Sequence, residues 1–287
     1  MTIEAKIIED SISPTRARLT TYQLRYPRFI HAELMTHRLF SRNASSSRAI
    51  PAKRLFEDIE RDPAMPIHWG RNQKGMQAKQ EMDIFQADAC KELWLSARDS
   101  ALAVARGLES MGLHKQVVNR ITEPWAHISV VVTASEYDNF FALRCHPDAQ
   151  PEIKALADQM RDLYFSETPR KLNPGQWHLP YVTAEERFSP GNMRKSGELK
   201  NEGSLIRASI ARCARVSYLT HDKKEPSIDL DVALYTRLFD SKHMSPFEHV
   251  ATPSADPNSW SGNFKGWVQY RKMLKGEAYL NYEPPTK

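Results

Sequence analysis

A long stretch without proline constrains the fold of this chain more than any other feature of its sequence. The chain has 18 prolines, but none lies between Met76 and Leu113, where Ala, Glu, Lys, Leu and Met predominate. These residues favour helices, so the stretch predicts one long helix, or two abutting helices, whose role is packing. With 287 residues, 41% of them hydrophobic, the chain can bury the core of one or two domains.

Strand patterns lie on both sides of this predicted helix. Residues 3–9 and 16–26 carry β-branched and aromatic side chains in partial alternation, and Ser13-Pro14 between them indicates a turn. They predict a hairpin or two neighbouring strands. Residues 127–133, HISVVVT, predict a buried strand.

Helical spacing predicts further helices along the rest of the chain. The first begins at Pro27 and carries His37 and Arg38 at its C-terminal end. The others cover residues 135–144, 151–165, 204–215, about 227–241 and the amphipathic segment 266–274. Residues 166–203, rich in proline, glycine and charge, predict a loop, a lid or an interdomain connection, and 251–263 a polar loop.

Composition excludes several classes of protein. No stretch approaches eighteen consecutive apolar residues, and no basic segment precedes an apolar run near the N-terminus, so we expect a soluble, cytoplasmic protein without membrane contact. Cys90, Cys145 and Cys213 form no C-x-x-C pair and are expected to be buried thiols. The formal charge of +5 suits an anionic ligand but decides little. Without G-x-G-x-x-G or a Walker-type loop, any dinucleotide site must be non-Rossmann.

A polar run at residues 36–49, THRLFSRNASSSRA, concentrates groups that bind anions. Arginine offers bidentate, charge-assisted hydrogen bonds, while hydroxyls and loop N–H groups offer neutral donors, a combination that suits a phosphate ester. Residues 41–51 are too polar and serine-rich to pack in a core and predict a loop that Ile50-Pro51 closes. The alternative to an anion site is that this loop is only a solvated part of the surface.

A second polar element, HMSPFEH at residues 243–249, sets two histidines, a hydroxyl and an acid around a proline turn. The histidines lie six residues apart rather than the four that a zinc-binding helix needs, so we expect no metal. The element suits hydrogen bonding to a polar cofactor, and a structural turn with Phe247 buried is the alternative. Arg120 and Arg144 flank the predicted strand and, taken alone, are typical of surface charges.

The run that begins at Thr36 resembles the signature of the flavin-dependent thymidylate synthases. That signature reads Arg-His-Arg, two variable residues, Ser, one variable, Asn-Glu, one variable, Ser, one variable, Arg-Tyr. Six positions of this chain match it: His37, Arg38, Ser41, Asn43, Ser46 and Arg48.

Other blocks of the chain resemble the same family. Its Ala-Arg-Val-Ser-Tyr block appears at 214–218, and its His-x-Thr/Ser-Pro-Phe-Glu-His block at 243–249. Arg120 resembles its Ala-Arg-Ile arginine, and 139–153 resemble its Asn-Phe-Leu-x-Leu-Arg and Ala-Gln-x-Glu-Ile run. The first two blocks usually precede the signature but follow it here, so the chain looks circularly permuted, a change that proteins with neighbouring surface termini tolerate.

The resemblance implies an α/β (α+β) fold with a mixed sheet and long helices, assembled as a homotetramer. It implies one catalytic domain over residues 1–287, with the nucleotide and flavin signature in 1–165 and a flavin-binding part in 204–287. The implied reaction is reductive methylation of dUMP to dTMP, with FAD, NADPH as reductant and methylenetetrahydrofolate as one-carbon donor. Two alternatives are a related flavin enzyme that adds a one-carbon group to another pyrimidine nucleotide, and a non-catalytic protein that binds nucleotides or nucleic acid. No nucleic acid partner is expected for the enzyme.

The same resemblance implies roles for individual residues. Arg144 would lie beside the pyrimidine and stabilise negative charge on it, with Ser46 as the second catalytic residue. The residues implied to hold the nucleotide are Ser46, Ser47, Arg48, Arg120 and Arg144. Those implied to contact FAD are His37, Arg38, Asn43, Asn139, Ser217, His243, Ser245 and Glu248.

The chain departs from the family pattern near both ligands. Thr36 stands for the first Arg of the signature, Ala44 for Glu, Ala49 for Tyr, Glu33 for a usual Gln, and Thr133 and Ser135 for an Asn and an Arg that commonly face the flavin. Because a cation and an acid are lost, charge and hydrogen bonding around both ligands change. We hypothesise that Gln269, Arg271 and Lys272 enter the site as compensation, and an exposed basic face is the alternative.

Overall fold

A β-hairpin opens the fold, as the sequence predicts. The computed structural model describes residues 2–188, 202–217 and 227–277. Strand β1 (Glu4–Ile12) pairs antiparallel with β2 (Arg18–Pro27). In the turn between them the Ser13 hydroxyl accepts the backbone N–H of Ala17 at 2.9 Å, which confirms the predicted turn.

After the hairpin the chain turns tightly before it returns to the sheet. A 3₁₀ helix (Arg28–Ile30) leads into the one-turn helix α1 (His31–Leu34), which ends before His37. The predicted helix is therefore shorter than expected, because Pro27 is the last residue of β2 and not the start of a helix. The next strand, β3 (Ser41–Ala44), lies where a loop was predicted.

The predicted long helix is a single element, α3 (Ile84–Ser110), which begins later than Met76. The Asp83 carboxylate caps it by accepting the N–H of Gln86 at 3.0 Å. Helices α2 (Ala52–Arg61) and α4 (Lys115–Val118) pack with it in a small core. The buried side chains of that core include Leu55, Phe56, Ile59, Leu102, Ala105 and Val118.

Two further strands complete a five-stranded sheet of order β3-β4-β2-β1-β5. Strand β4 (His127–Ala134) pairs antiparallel with both β2 and β3, while β5 (Arg170–Lys171) runs parallel to β1. The sheet is therefore mixed, as expected. The prediction of a loop at 41–51 is wrong for β3, because its backbone bonds to β4 across the edge of the sheet.

One face of the sheet is apolar and is covered by α5 (Asp138–Arg144) and α6 (Pro151–Ser166). Both predicted helices are confirmed. Each large side chain buried between sheet and helices contributes about 1.5–3 kcal/mol to folding. This core includes Tyr22, Leu24, Tyr26, Val130, Val132, Phe140, Leu156 and Met160.

The opposite face carries a polar row that crosses four strands. Ser41 pairs with Thr133, Thr133 with Thr21, and Thr21 with Glu9. Directly opposed residues of antiparallel strands project from the same face, so these four side chains form one line. This row, called the polar row below, is covered by the C-terminal part of the chain.

That C-terminal part forms a layer of short elements over the polar face. Its helices are α7 (Ala184–Phe188), α8 (Glu202–Ala214), α9 (Ile228–Asp240) and α10 (Tyr270–Met273), with 3₁₀ helices at Arg215–Ser217 and Ser245–His249. Its strands are β6 (Ala251–Pro253), β7 (Trp260–Ser261), β8 (Phe264–Lys265) and β9 (Trp267–Gln269). The predicted helices 204–215 and 227–241 are confirmed.

Two predictions for this layer are wrong. The predicted polar loop 251–263 contains β6 and β7, and the predicted helix 266–274 begins as strand β9. Strand β9 forms because it pairs antiparallel with β6, and Trp267 and Gln269 are both buried there. In the 166–203 segment, β5, α7 and the buried Leu172 pack into the fold, while 189–201 lie outside the described residues.

A buried ion cluster ties three helices of this layer together. Arg212 of α8 donates to Asp231 of α9 at 2.8 Å and to Glu186 of α7 at 2.7 and 2.5 Å. Arg215 also donates to Asp231. Because Asp231 is fully buried, its charge is stabilised by these arginines alone among the described side chains.

The thiols differ in burial. Cys213 is buried, as predicted, whereas Cys90 and Cys145 are only partly buried. Within the described part of the chain, no helix combines the length and the apolar character needed to cross a membrane.

Candidate functional site

The turn between α1 and β3, residues 35–40, buries the imidazole of His37. Its ring packs edge-on against Phe140 and stacks on Phe40, with centroid distances of 4.8 and 5.7 Å. Burial, together with the neighbouring guanidinium groups of Arg144 and Arg42, lowers the pKa of His37 to about 4. His37 is therefore neutral at pH 7 and can accept a hydrogen bond.

Arg144, at the end of α5, supplies that hydrogen bond and makes two others. Its Nε donates to His37 Nε2 at 3.0 Å, one terminal nitrogen donates to Glu33 at 3.0 Å, and the other to Thr36 at 3.3 Å. Glu33 and Thr36 are two of the departures from the family pattern. Both departures thus act on the arginine that was predicted to face the pyrimidine.

Strand β3 joins this arginine cluster to the C-terminal layer. The Ser41 hydroxyl donates to Asn263 Oδ1 at 3.1 Å, and Gln269 Nε2 donates to the same oxygen at 2.9 Å. Gln269 also reaches the backbone carbonyl of Glu248 at 3.3 Å. The buried Gln269 therefore connects the signature strand with the HMSPFEH block.

Asn43 lies two residues further along β3 and faces the other family block. Its amide nitrogen donates to the carbonyl oxygen of Cys213 at 3.4 Å, just before the 3₁₀ helix Arg215–Ser217. Its amide oxygen is buried and has no partner among the described residues. Ser217 ends that 3₁₀ helix, and its side chain lies outside the described residues.

The HMSPFEH block forms the 3₁₀ helix Ser245–His249, which contacts β3 and is called the SPFEH turn below. Its Glu248 accepts from Arg271 at 2.5 Å, and Arg271 also donates to Glu277 at 2.7 Å. Lys272 instead bonds only to Glu277 among the described side chains. Of the three hypothesised compensating residues, Gln269 and Arg271 contact this block.

The serine-rich loop after β3 lies beside Arg120. Ser47 is buried and donates to Glu123 at 2.8 Å, and Arg120 donates to the same carboxylate oxygen at 2.9 Å. The exposed Ser46 accepts the backbone N–H of Arg48 at 3.3 Å. Four of the residues predicted to hold the nucleotide are therefore close together: Ser46, Ser47, Arg48 and Arg120.

A cavity of about 1030 Å³ opens next to this loop, and both Ser45 and Val216 line it. Volumes of about 300–1,000 Å³ are usual for small-molecule sites, so the cavity can accept a ligand of nucleotide size. Its wall carries charges of both signs. The positive side chains are Arg25, Lys53, Arg54 and Arg61, and the acidic ones are Glu4, Glu57, Asp58 and Asp62. The mixed charge favours a polar ligand.

His127, in the cavity wall, predicts an acid-sensitive contribution to stability. Neither ring nitrogen has a partner among the described residues, and burial, aided by Arg25, lowers its pKa from 6.5 to about 4. Between pH 6.5 and about 4, the His127 imidazole is protonated in the unfolded chain and neutral in the folded chain. The free energy of unfolding should therefore fall as the pH falls towards 4, by at most about 1.4 kcal/mol per pH unit for this group.

Urea unfolding at several pH values checks this prediction with two variants. His127→Gln should show a shallower dependence than the wild type between pH 6.5 and 4. The matched control is His146→Gln, because the His146 side chain is 58% exposed, and it should keep the slope of the wild type. Equal slopes for His127→Gln and the wild type would contradict the assignment.

The predicted site residues fall into three groups along β3, which at about 3.3 Å per residue spans roughly 13 Å. His37 and Arg144 lie at its start, Asn43 and Glu248 beside it, and the nucleotide-binding candidates at its end. Arg38, Asn139, His243 and Ser245 are exposed around these groups. In the described ranges, no three His, Cys, Asp or Glu side chains are grouped to hold a metal ion.

Asn263 is a site residue that sequence reasoning missed. It donates to the carbonyl of Leu39 at 2.8 Å and accepts from Ser41 and Gln269. It lay in a predicted polar loop, and no motif or spacing in the sequence distinguishes it. Sequence reasoning also missed Thr21, in the polar row, and His178, which bonds to it, because no motif in the sequence distinguishes them.

Comparison with known proteins identifies the family of the chain. The model of the family described as thymidylate synthase complementing protein matches residues 8–170, more than half of the chain. No curated protein matches the sequence significantly. Among solved structures, the UMP/dUMP methylase PolB from Streptomyces cacaoi bound with 5-Br UMP is 17% identical, with a TM-score of 0.46 over 57% of this chain and 89% of that chain. The same enzyme bound with 5-Br dUMP is 16% identical, with a TM-score of 0.48 over 57% and 90%.

The family match agrees with the permuted order of the blocks. The matched range carries the signature, Arg120 and Arg144, and the blocks at 214–218 and 243–249 follow it in sequence. The 3₁₀ helices Arg215–Ser217 and Ser245–His249 within these blocks contact β3 in the fold. The match also identifies the activity class, a thymidylate-synthase-like methyltransferase. The chain belongs to the thymidylate synthase complementing protein family.

Proposed function

We propose that this protein is a flavin-dependent thymidylate synthase that methylates dUMP to dTMP. The observation that carries the proposal is the hydrogen bond from Arg144 to neutral His37 at the signature. This hydrogen bond holds the guanidinium group of Arg144 at one end of β3. The serine-rich loop places anion-binding groups at the other end. A pyrimidine nucleotide needs both, one for its ring and one for its phosphate.

For the nucleotide, each end of β3 has a separate role. Ser46, Arg48 and Arg120 would bind the phosphate, since all three are exposed around one loop. The Ser47 hydroxyl is already bonded to Glu123, so we assign it to positioning that loop. Arg144 would contact the pyrimidine and stabilise the negative charge that develops on the ring, with Ser46 as the second catalytic residue.

Two buried acceptors without partners in the described chain support a polar cofactor beside β3. They are the amide oxygen of Asn43 and Nε2 of His249, and each lies in a block that the resemblance assigns to FAD. Around them we assign His37, Arg38, Asn139, Ser217, His243, Ser245 and Glu248 to FAD binding. These residues offer the hydrogen-bond donors and acceptors that a flavin nucleotide requires.

In the proposed reaction the chain binds and orients three reactants. The methylene carbon of methylenetetrahydrofolate forms a bond to C5 of the pyrimidine, and C5 loses its proton. The bonds from that carbon to the folate nitrogens break, which releases tetrahydrofolate, and a hydride added to the same carbon completes the methyl group. FAD, when bound and reduced by NADPH, supplies that hydride chemistry. The residues of the chain hold the nucleotide in register and stabilise charge, so no cysteine nucleophile is required.

Arg271 offers a test of the compensation hypothesis. Its ion pair with Glu248 holds the acid of the SPFEH turn in place, so Arg271→Ala should weaken FAD binding by about five- to tenfold, which corresponds to about 1–1.4 kcal/mol, the net effect of one hydrogen bond. Titration of the purified protein with FAD, followed by flavin fluorescence, measures the change.

The matched control for this prediction is Lys272→Ala. Lys272 is the neighbouring base and shares the partner Glu277, but among the described residues it forms no hydrogen bond or ion pair with the SPFEH turn. It should bind FAD as the wild type does. An unchanged affinity in Arg271→Ala would mean that the C-terminal basic residues play no part in the site.

A second candidate is a related enzyme that adds a one-carbon group to a different pyrimidine nucleotide. The observation that favours it is the ion pair of Arg144 with Glu33, where the family usually has a neutral Gln. An ionised carboxylate only accepts hydrogen bonds and offsets the charge of the arginine. Both effects change which pyrimidine ring the site prefers, through the hydrogen-bonding groups on the edge of the ring and through its charge.

Anaerobic turnover separates the two candidates. FAD-loaded protein is mixed with NADPH, methylenetetrahydrofolate and dUMP, UMP or dCMP in parallel, and flavin absorbance and nucleotide mass are followed together. Formation of dTMP from dUMP is the result expected from the first proposal. Flavin oxidation with a mass change only in another nucleotide would support the second candidate and overturn the first.

We further propose that residues 1–287 form one catalytic domain in permuted order. The contacts of β3 with the 3₁₀ helices Arg215–Ser217 and Ser245–His249 support this, because residues 1–165 and 204–287 then share one site. The segment 166–203 connects them in sequence.

We also propose that the enzyme assembles as a homotetramer. Helix α3 supports this, because large apolar side chains along it are exposed in the single chain, and exposed apolar surface is typical of interfaces. They are Ile84, Phe85, Leu93 and Val104. Light scattering of the purified protein tests the mass.

A further inference from the structure

A chain of buried side chains runs from the SPFEH turn along the polar row to Glu9. His249 Nδ1 lies 2.8 Å from the Thr133 hydroxyl, which lies 2.7 Å from the Thr21 hydroxyl. Thr21 in turn lies 2.8 Å from His178 Nε2. Every side chain in this part of the chain is fully buried, so each hydrogen must point to a protein partner.

The far end of the chain is anchored on a carboxylate. The other ring nitrogen of His178, Nδ1, lies 2.9 Å from the Ser11 hydroxyl, which donates to Glu9 at 3.4 Å. Glu9 also accepts from Arg170 at 2.6 Å and from Arg187 at 2.5 Å. Burial raises the pKa of Glu9 above its usual value, but the guanidinium groups of Arg187 and Arg170 oppose that shift. Because both carboxylate oxygens accept from these guanidinium N–H groups, Glu9 stays ionised and can only accept from Ser11.

This anchor fixes the direction of every hydrogen bond in the chain. Ser11 has one hydrogen, and the ionised carboxylate of Glu9, although 3.4 Å away, is a stronger acceptor than a neutral imidazole, so that hydrogen is assigned to Glu9. His178 Nδ1 then donates to Ser11, and neutral His178 carries no hydrogen on Nε2. Thr21 must therefore donate to His178 and accept from Thr133. Thr133 must in turn accept from His249 Nδ1.

Both imidazoles are neutral, as this argument requires. Burial lowers the pKa of His249 to about 3, and burial likewise holds the pKa of His178 well below 6.5. Neutral His249, protonated on Nδ1, leaves a lone pair on Nε2. That atom is buried and has no partner among the described residues.

We propose that Glu9 sets the tautomer of His249 through this chain, so that His249 Nε2 accepts a hydrogen bond from the ring N–H of the bound flavin. Glu9, Ser11, Thr21, Thr133 and His178 are then positioning residues. The ligand in this inference rests on the proposed function, whereas the tautomer does not. An unbonded buried acceptor is unfavourable, so a donor on the ligand gains free energy when it binds there.

The first experiment reads the tautomer directly. Protein labelled with ¹⁵N-histidine is studied by magic-angle-spinning NMR without flavin, and the His249 signals are assigned with His249→Asn. We expect a protonated Nδ1 and a bare Nε2. Ser11→Ala removes the hydroxyl that links Glu9 to His178, far from the SPFEH turn. It should convert His249 to a mixture of tautomers, which a purely structural role of Ser11 would not do.

The second experiment reads the effect on the cofactor. Thr133→Val removes the acceptor for His249 Nδ1 and should weaken FAD binding about five- to tenfold, whereas Thr133→Ser keeps the hydroxyl and should bind as the wild type does. Thermal unfolding of both Thr133 variants identifies any loss of folded protein. Ser11→Ala, although remote from the SPFEH turn, should also weaken FAD binding.

The outcomes distinguish this inference from the proposed function. A His249 protonated on Nε2 in the wild type, or a tautomer unchanged in Ser11→Ala, overturns the role of Glu9. The expected tautomer together with equal FAD affinity in Thr133→Val and Thr133→Ser means that Nε2 serves a buried water, and overturns the flavin contact. Absence of any FAD binding by the wild type refutes the cofactor assignment while leaving the tautomer result intact.

Discussion

Replacement of Arg144 by alanine is expected to slow product formation by about 10²–10³-fold, the usual cost of one group that stabilises charge in a transition state. The guanidinium group is held by three side chains, so its position is fixed before a nucleotide binds. Its loss removes that preorganised charge. Single-turnover formation of the methylated nucleotide, with flavin already reduced, measures the change without interference from the reductant.

The substitution Arg144→Lys is the informative companion of this variant. Lysine keeps the charge but not the planar fork, so it cannot bond to His37, Glu33 and Thr36 together. We expect it to recover only part of the lost rate. A loss below about tenfold in Arg144→Ala, with folding unchanged, would show that Arg144 does not face the reacting ring.

Parts of the fold with local signals were predictable from the sequence. The hairpin is specified by strand-forming runs on either side of Ser13-Pro14, and α6 by the proline at its first turn. Helix α9 carries its own helical spacing. In each case the residues that determine the element lie within it or next to it.

Elements that depend on distant partners were not predictable. Strand β3 reads as a polar loop because the backbone groups that pair with it belong to β4, far along the sequence. Strand β9 reads as part of an amphipathic helix, but pairing with β6 and burial of Trp267 determine its conformation. Sequence periodicity reports the local preference, and tertiary pairing overrides it.

The candidate site shows the same division. Compact runs of unusual composition located His37 and the SPFEH turn. Arg144, which taken alone is typical of a surface charge, was located only through the family resemblance. The role of Glu33 and Thr36 was not readable, because Arg144 lies more than a hundred residues away from both. From the sequence they were departures of unknown consequence, and in the fold they hold the predicted catalytic arginine.

Stability of the C-terminal layer depends on an interaction that the sequence could not reveal. Arg212 is buried and bonds to Asp231, Glu186 and, at 2.7 Å, the carbonyl oxygen of Tyr181. Removing one member of a buried ion cluster leaves its partners charged and poorly compensated. This penalty is larger than the value of an ion pair at the surface.

Arg212→Ala is therefore expected to lower the free energy of unfolding by about 3–5 kcal/mol, which guanidinium unfolding followed by circular dichroism measures. The control is Arg161→Ala, whose ion pairs with the half-buried Asp158 and the exposed Asp162 lie at the surface and should contribute at most about 1 kcal/mol. Because α8 leads into the block at 214–218, loss of Arg212 should also weaken flavin binding. Equal stability of the two variants would mean that packing alone, and not the buried charges, fixes this layer over β3.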